Sequence, residues 1–322
     1  MKMSRLKIAA VAAAVTGVIA GGVLASIPAD AAPNDSRTFG VRCAFSHTNT
    51  TDAIVMPGMT GMSHQHEFFG NTTTNENTTG SSLLAGSSTC DDPNNHSAYW
   101  VPALLNNGQR VAPVSASVRY DSTNAGSTTA FPVGFKAVSG RTNQTAAWGC
   151  AVPGAEPSWS SDVALVPTCT GEQHLVAQVT FPNCWDGTSL DSSNHMSHLV
   201  FATENAGGTS TCPSDHAVHV PKVVLQVHYP HSVIGGAAVT LASGAASTLH
   251  GDIFEAWAGS SLTNRLRVPR VDAPANQRPT PAMQAPAGQI PGAQTPAMRP
   301  APRVDGQRPA TRPGPQQGIR IA

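Results

Sequence analysis

The sequence predicts a mainly β fold: one disulfide-stapled domain, a β-sandwich or distorted barrel with long loops, followed by a disordered Pro-rich tail. Three observations predict it. Gly, Ser, Thr, Asn and Pro punctuate the chain throughout, with 29 Gly and 26 Pro in 322 residues, and no amphipathic stretch of useful helical length interrupts them. Short runs rich in β-branched and aromatic residues recur at irregular intervals, the pattern of many short strands joined by loops. Six cysteines, an even number, all fall between residues 43 and 212.

The chain opens on a secretory signal over residues 1–31. Lys2, Arg5 and Lys7 form a basic region, Ile8 to Ala25 is apolar and rich in Ala and Val, and Ala29-Asp30-Ala31 supplies a cleavage site. The mature chain is expected to begin at Ala32. No other apolar run approaches the roughly 18 residues a membrane span requires, so no span is expected after cleavage. At the far end, residues 269–322 hold 12 prolines, seven Arg and two Asp, with no aromatic residue. Such a segment cannot bury enough apolar surface to offset its chain entropy, and disorder with polyproline II character is expected. Its net charge of +5 suits loose attachment to an anionic cell wall.

Between these ends, residues 32–268 carry nine Lys and Arg against 16 Asp and Glu, a net of −7. An acidic domain argues against nucleic acid as a partner. Strand-like runs are expected at Ala98 to Leu105, Ser115 to Tyr120, Ala130 to Val138, His174 to Phe181, Ser197 to Thr203, Val220 to Tyr229 and Ala237 to Leu241. In Lys222-Val223-Val224-Leu225-Gln226-Val227-His228 the polar members share one parity, which reads as a half-buried strand. Gly70 to Asp92 is a long, polar, Thr/Asn-rich loop of the kind that is functional or disordered. In an exported chain six cysteines imply three bridges. Neighbours in sequence suggest Cys43–Cys90, Cys150–Cys169 and Cys184–Cys212, and the absence of any C-x-x-C spacing argues against a thiolate zinc site.

The chemistry is concentrated in histidine, with 12 His against four Lys. His64-Gln65-His66 places two imidazoles at i and i+2, which on a strand face the same side. His195-Met196-Ser197-His198 places two more at i and i+3 on a turn. His216 and His250 complete a candidate ligand set of His64, His66, His195, His198, His216 and His250, with Asp186 and Asp191 available to orient an imidazole. Such a set suits zinc or copper better than calcium. A copper brace would need an N-terminal His, and the expected terminus is Ala32. Paired carboxylates are the competing chemistry: Asp186 and Asp252 could flank a glycosidic bond, with Trp100, Trp185 and Trp257 as platforms for sugar rings. No serine-nucleophile elbow or phosphate-binding Gly-rich loop is present.

Several segments together resemble a secreted family of fungi and actinobacteria catalogued as domain of unknown function 1996. They are Asp52-Ala53-Ile54-Val55-Met56-Pro57-Gly58, His64-Gln65-His66-Glu67-Phe68-Phe69-Gly70, Ser97-Ala98-Tyr99-Trp100, Phe181-Pro182-Asn183-Cys184-Trp185-Asp186-Gly187, His195-Met196-Ser197-His198, Cys212-Pro213-Ser214-Asp215-His216 and His250-Gly251-Asp252. Two positions depart from that resemblance: His219 stands where an arginine is expected, and Glu255-Ala256-Trp257 stands where Asn-Gly-Trp is usual. The resemblance implies secretion, a single domain and a shared His/Asp/Trp site, and no reaction. The sequence therefore leads to an extracellular domain that binds a divalent metal and acts on, or binds, cell-wall or environmental polysaccharide. If it is an enzyme, it is a metal- or carboxylate-dependent hydrolase. The alternative is a non-catalytic wall-associated or glycan-binding module whose histidines are structural.

Overall fold

One long strand organises the molecule. In the structure, a computed structural model describing residues 37–122, 128–205, 209–233 and 235–267, β1 (Arg37–Asn49) belongs to two half-sheets at once. Its first part, to Ala44, pairs antiparallel with residues 115–122, and its last part, from Phe45, pairs with residues 66–70. A bulge between Phe45 and His47 marks the change of partner. An extra residue in one strand bends it and raises its twist, so the sheet turns back on itself at this point. The expected signal and tail regions lie outside the described residues.

The other main strands are β2 (His66–Gly70), β3 (Ala98–Pro102), β4 (Ser115–Ser122), β5 (Lys136–Gly140), β6 (Ala146–Ala151), β7 (Ser158–Trp159), β8 (His174–Thr180), β9 (Lys222–His228) and β10 (His250–Phe254). They form a ten-stranded sheet in the order β5-β10-β3-β2-β1-β4-β9-β8-β6-β7, every pairing antiparallel. The two halves face each other across the core. Gly251 of β10 packs closely on the opposite half: a Cβ there would meet Val179 of β8 and Leu225 of β9 at 3.2–3.3 Å. Ser139 Oγ on β5 donates to Thr180 O at the end of β8 at 2.7 Å. The fold class is thus the expected one, a mainly β domain built on a curled sheet.

The main core between the halves holds Phe69, Tyr99, Val118, Trp148, Val179, Leu225 and Ile253, all at most 1% exposed. Burial of side chains this size stabilises by about 1.5–3 kcal/mol each. A second, smaller core lies on the other face of β2, β3 and β10. Phe68, Ala98, Trp100 and Phe254 are covered there by Ala53 and Ile54 of the 50–65 loop and by Leu83. Leu83 belongs to α1 (Gly80–Ala85), a helix started by a capping box in which Thr79 Oγ1 accepts from Ser82 N. Gly70 to Asp92, expected as a plain polar loop, therefore folds a short helix over the sheet. The other α-helix among the described residues is α2 (Ser261–Arg267). No helix among the described residues is long and apolar enough to cross a membrane.

All three suggested disulfides are present: Cys43–Cys90, Cys150–Cys169 and Cys184–Cys212. The first ties the segment over the second core to β1. Bridges closing loops of this size contribute about 2–4 kcal/mol each by restricting the unfolded chain. The expected strand over Ala130 to Val138 starts only at Lys136, because Pro132 and the left-handed Gly134 (φ 94°) hold the preceding residues in a turn.

Candidate metal centre

β2 and β10 each begin with a histidine on the face that carries the second core. His66 starts β2, His250 starts β10, and the strand between them is β3. His64 precedes β2, in the last residues of the 50–65 loop. The spacing that suggested two imidazoles on one strand thus brings together a loop histidine and a strand histidine. Their rings are 4.2 Å apart, with His250 at 5.2 Å from His64 and 6.0 Å from His66. One ring nitrogen from each of the three lies within 4.8 Å of the others. Zinc–nitrogen bonds of about 2.1 Å set nitrogens some 3.4 Å apart in a tetrahedron. Closing the remaining distance is a small movement for His64, the least buried of the three.

The backbone determines which nitrogen each ring presents. His66 Nδ1–H donates to Thr51 O at 3.2 Å, and His250 Nδ1–H donates to Thr248 O at 2.8 Å. This leaves the Nε2 lone pairs of both rings for the centre, the outer-shell pattern that orients metal-binding imidazoles. The Nε2 atoms of His64 and His66 are buried and have no protein partner. Burial lowers the pKa of all three rings. His66 falls well below its ordinary value, helped by the neighbouring His64 and His250, and His250 falls to about 4. Neutral imidazoles with free lone pairs are the form that ligates metal.

Acidic groups join the same face. Asp252 follows His250 at i+2 on β10, is fully buried, and has no partner for either carboxylate oxygen. Burial and the nearby Asp52 push its pKa well above the carboxylate range. Trp100, opposite Asp252 in the register, also has an unpartnered buried Nε1. Asp52 folds the loop by accepting from Ile54 N and Val55 N through Oδ1, and its charge is felt by both His64 and His195. Buried polar atoms without partners are rare, and several on one patch mark a place for a ligand.

Strained backbone surrounds the centre. Among the described residues, three non-glycine residues have left-handed backbone, and two of them, Arg141 (φ 67°) and His195 (φ 60°), are coupled to this group. Arg141 follows Gly140, whose φ of 126° and 2.5 Å approach of a virtual Cβ to His250 Cα admit only glycine. Its positive charge lowers the pKa of His64, His250 and Asp252. Strain of this kind costs about 1–3 kcal/mol and concentrates at functional sites.

The remaining expected site residues lie elsewhere. His195 faces Asp52 but is held through Nδ1 by Asp191 Oδ1 at 2.9 Å, so Asp191 does orient an imidazole, though not one of the three. His198 uses both nitrogens structurally: Nε2–H donates to Lys136 O at 2.7 Å and Nδ1 accepts from Ser192 Oγ at 2.9 Å. His216 Nε2–H donates to Ser197 O at 2.9 Å. Asp186 closes its own turn by accepting from Thr188 N and Ser189 N, and its pKa falls to about 2. Trp100, Trp185 and Trp257 are 0%, 9% and 3% exposed and present no open ring face. Cys184, Cys212 and His219 also cluster, but both sulfurs are committed to one disulfide. Asp52 and Arg141 were not among the expected site residues, since neither belongs to a ligand-spaced motif.

A family model described as "Domain of unknown function (DUF1996)" matches residues 52–257, a span running from Asp52 through all three histidines to Trp257. The chain belongs to this family. No curated protein and no solved structure gave a significant match. Membership brings the histidine motifs within one family domain and assigns them no reaction.

Proposed function

We propose that this domain holds one divalent transition-metal ion on His64, His66 and His250 and uses it outside the cell to hydrolyse a polysaccharide. The observation that carries the metal reading is three converging imidazoles, of which His66 and His250 are tied through Nδ1 to backbone carbonyls while His64 and His66 have a buried Nε2 without a partner. Three protein ligands with a further position open is the arrangement of catalytic rather than structural sites. A bound ion there would supply Lewis acidity and lower the pKa of water. Burial favours the protonated form of Asp252, and we assign it to donate a proton to the departing oxygen. The Asp191–His195 pair, whose imidazole interacts with Asp52, is the base we assign to the attacking water. Export rests on the N-terminal sequence, and three disulfides are compatible with it. The polymer substrate rests on export alone, because the tryptophans that suggested sugar stacking are buried.

Metal analysis of full-length protein purified without chelator or nickel resin tests this reading. One ion per chain is expected, falling close to none in a His66→Ala/His250→Ala variant that retains its fold. Substoichiometric metal, unchanged in that variant, would overturn it. Sugar release from a polysaccharide panel, abolished by chelator and by Asp252→Asn, tests the hydrolytic part.

A further inference from the structure

Four of the chain's eight methionines lie among the described residues, three in the loop that leads to His64 and one next to His195. Met56, Met59 and Met62 run at intervals of three up to His64, and Met196 follows His195. Their exposure is unusual for so apolar a side chain: Met59 is 49%, Met62 62% and Met196 48% exposed. The spacing has a structural cause. Met59 N donates to Met56 O at 3.2 Å across Pro57-Gly58, and Met62 N donates to Met59 O at 3.4 Å across Thr60-Gly61. Gly58 (φ 74°) and Gly61 (φ 69°) occupy the left-handed third position of each turn, the signature of type II turns. Two consecutive turns of this type place each methionine Cα within about 7 Å of the next.

The loop is also held in place. Gly58 N donates to Glu76 O at 2.9 Å, Thr60 Oγ1 donates to Glu76 Oε1 at 2.6 Å, and Ser63 N donates to Thr50 O at 3.3 Å. A fixed loop carrying three evenly spaced thioethers, two of them largely exposed, just before His64 is not explained by core packing. Thioether sulfur is a soft donor, a poor ligand for zinc and a good one for monovalent copper, and imidazole accepts copper as well.

We infer that Met56, Met59 and Met62 form a thioether site for monovalent copper at the entrance of the three-histidine centre. Met196, on the loop whose His195 faces the same Asp52, is the further donor that this arm can recruit. The inference rests on the three-histidine centre as a metal site and concerns only the capture of copper(I) by the methionines beside it. No electron transfer is involved in capture, so silver(I) is a faithful, redox-inert probe.

The test uses full-length protein with methyl-labelled methionines, titrated with silver(I) and, without oxygen, with copper(I) against a chromophoric chelator. Silver is expected to shift the methyl resonances of Met56, Met59 and Met62 before those of Met283 and Met298. A Met56→Leu/Met59→Leu/Met62→Leu variant, which conserves side-chain volume, is expected to lose copper(I) affinity by about tenfold or more while keeping its zinc(II) uptake. Methyl signals unmoved by silver, or a leucine variant that competes for copper(I) as well as the parent, would overturn the inference. His66→Ala/His250→Ala separates the two readings. If silver still moves the three methyls while no metal is held by the parent's histidines, the thioether site stands and the histidine centre does not.

Discussion

The two halves of the folded sheet treat their outer faces in opposite ways. On the half built from β4, β9 and β8, the outward positions are mainly polar: Ser117, Arg119, Asp121, Gln178 and Gln226, with Thr38 and Gly40 of β1 and the apolar Val176 and Val224 among them, several lining an open groove. The polar groups find one another or water, as when Gln226 Nε2 donates to Gln178 Oε1 at 2.9 Å. On the half built from β2, β3 and β10, every residue is buried on both faces. There the outward positions read His66, Phe68, Trp100, His250, Asp252 and Phe254. Covering one face of a sheet with a loop and a short helix creates a place where unpartnered polar atoms persist. The same atoms on the open half would simply be hydrated.

The largest break in this comparison is expected from Trp100→Ala. It removes the largest side chain of the second core and should cost about 3–5 kcal/mol, with metal uptake falling because His66 and His250 lose the surface that fixes them. Denaturant unfolding together with metal analysis checks both. A loss below 1 kcal/mol would mean the covering loop is not a true second core.

Next in size is a pH effect at Glu255, which is buried beneath the covered half. It accepts from Ser97 Oγ, Tyr120 Oη and Trp257 Nε1, yet burial raises its pKa to about 7. The folded protein therefore holds a proton that the unfolded chain releases near pH 4.5. Between pH 4.5 and 7 the native state binds the extra proton, so stability falls as pH rises, by on the order of 3 kcal/mol in all, and is flat above pH 7. Glu255→Gln, a neutral amide like the Asn usual in the family resemblance, should flatten that slope. Melting temperatures at pH 5 and 8 for the two proteins measure it. The smallest effect is expected on the open half, where Gln226→Ala should change stability by less than about 0.5 kcal/mol and leave metal content as it was.

What was legible in the sequence divides along physical lines. Local signals held: β-branched runs became β4, β8 and β9, and cysteines near in sequence found one another. β1 escaped notice because a strand that changes partner at a bulge shows no single alternation. β6, Ala146-Ala147-Trp148-Gly149-Cys150-Ala151, is too small-residued to read as a strand, although Gly149 is required where Trp159 packs at 2.6 Å from a virtual Cβ. At the centre, spacing identified His64 and His66 and named His250. It also named His198 and His216, whose Nε2 atoms are taken by carbonyls that only the tertiary fold brings near. Asp52 and Arg141 arrive through long-range pairing and turn geometry, for which no short motif exists.

The position of His250 in the chain has a consequence for timing. His66 is in the second strand of the sheet and His250 is in the last, so a growing chain that has not reached His250 holds only a pair of the three imidazoles. Pairing so distant in sequence is slow relative to local structure. On the proposed metal reading, the ion is therefore chosen after His250 has joined the sheet, from the metals available at that place.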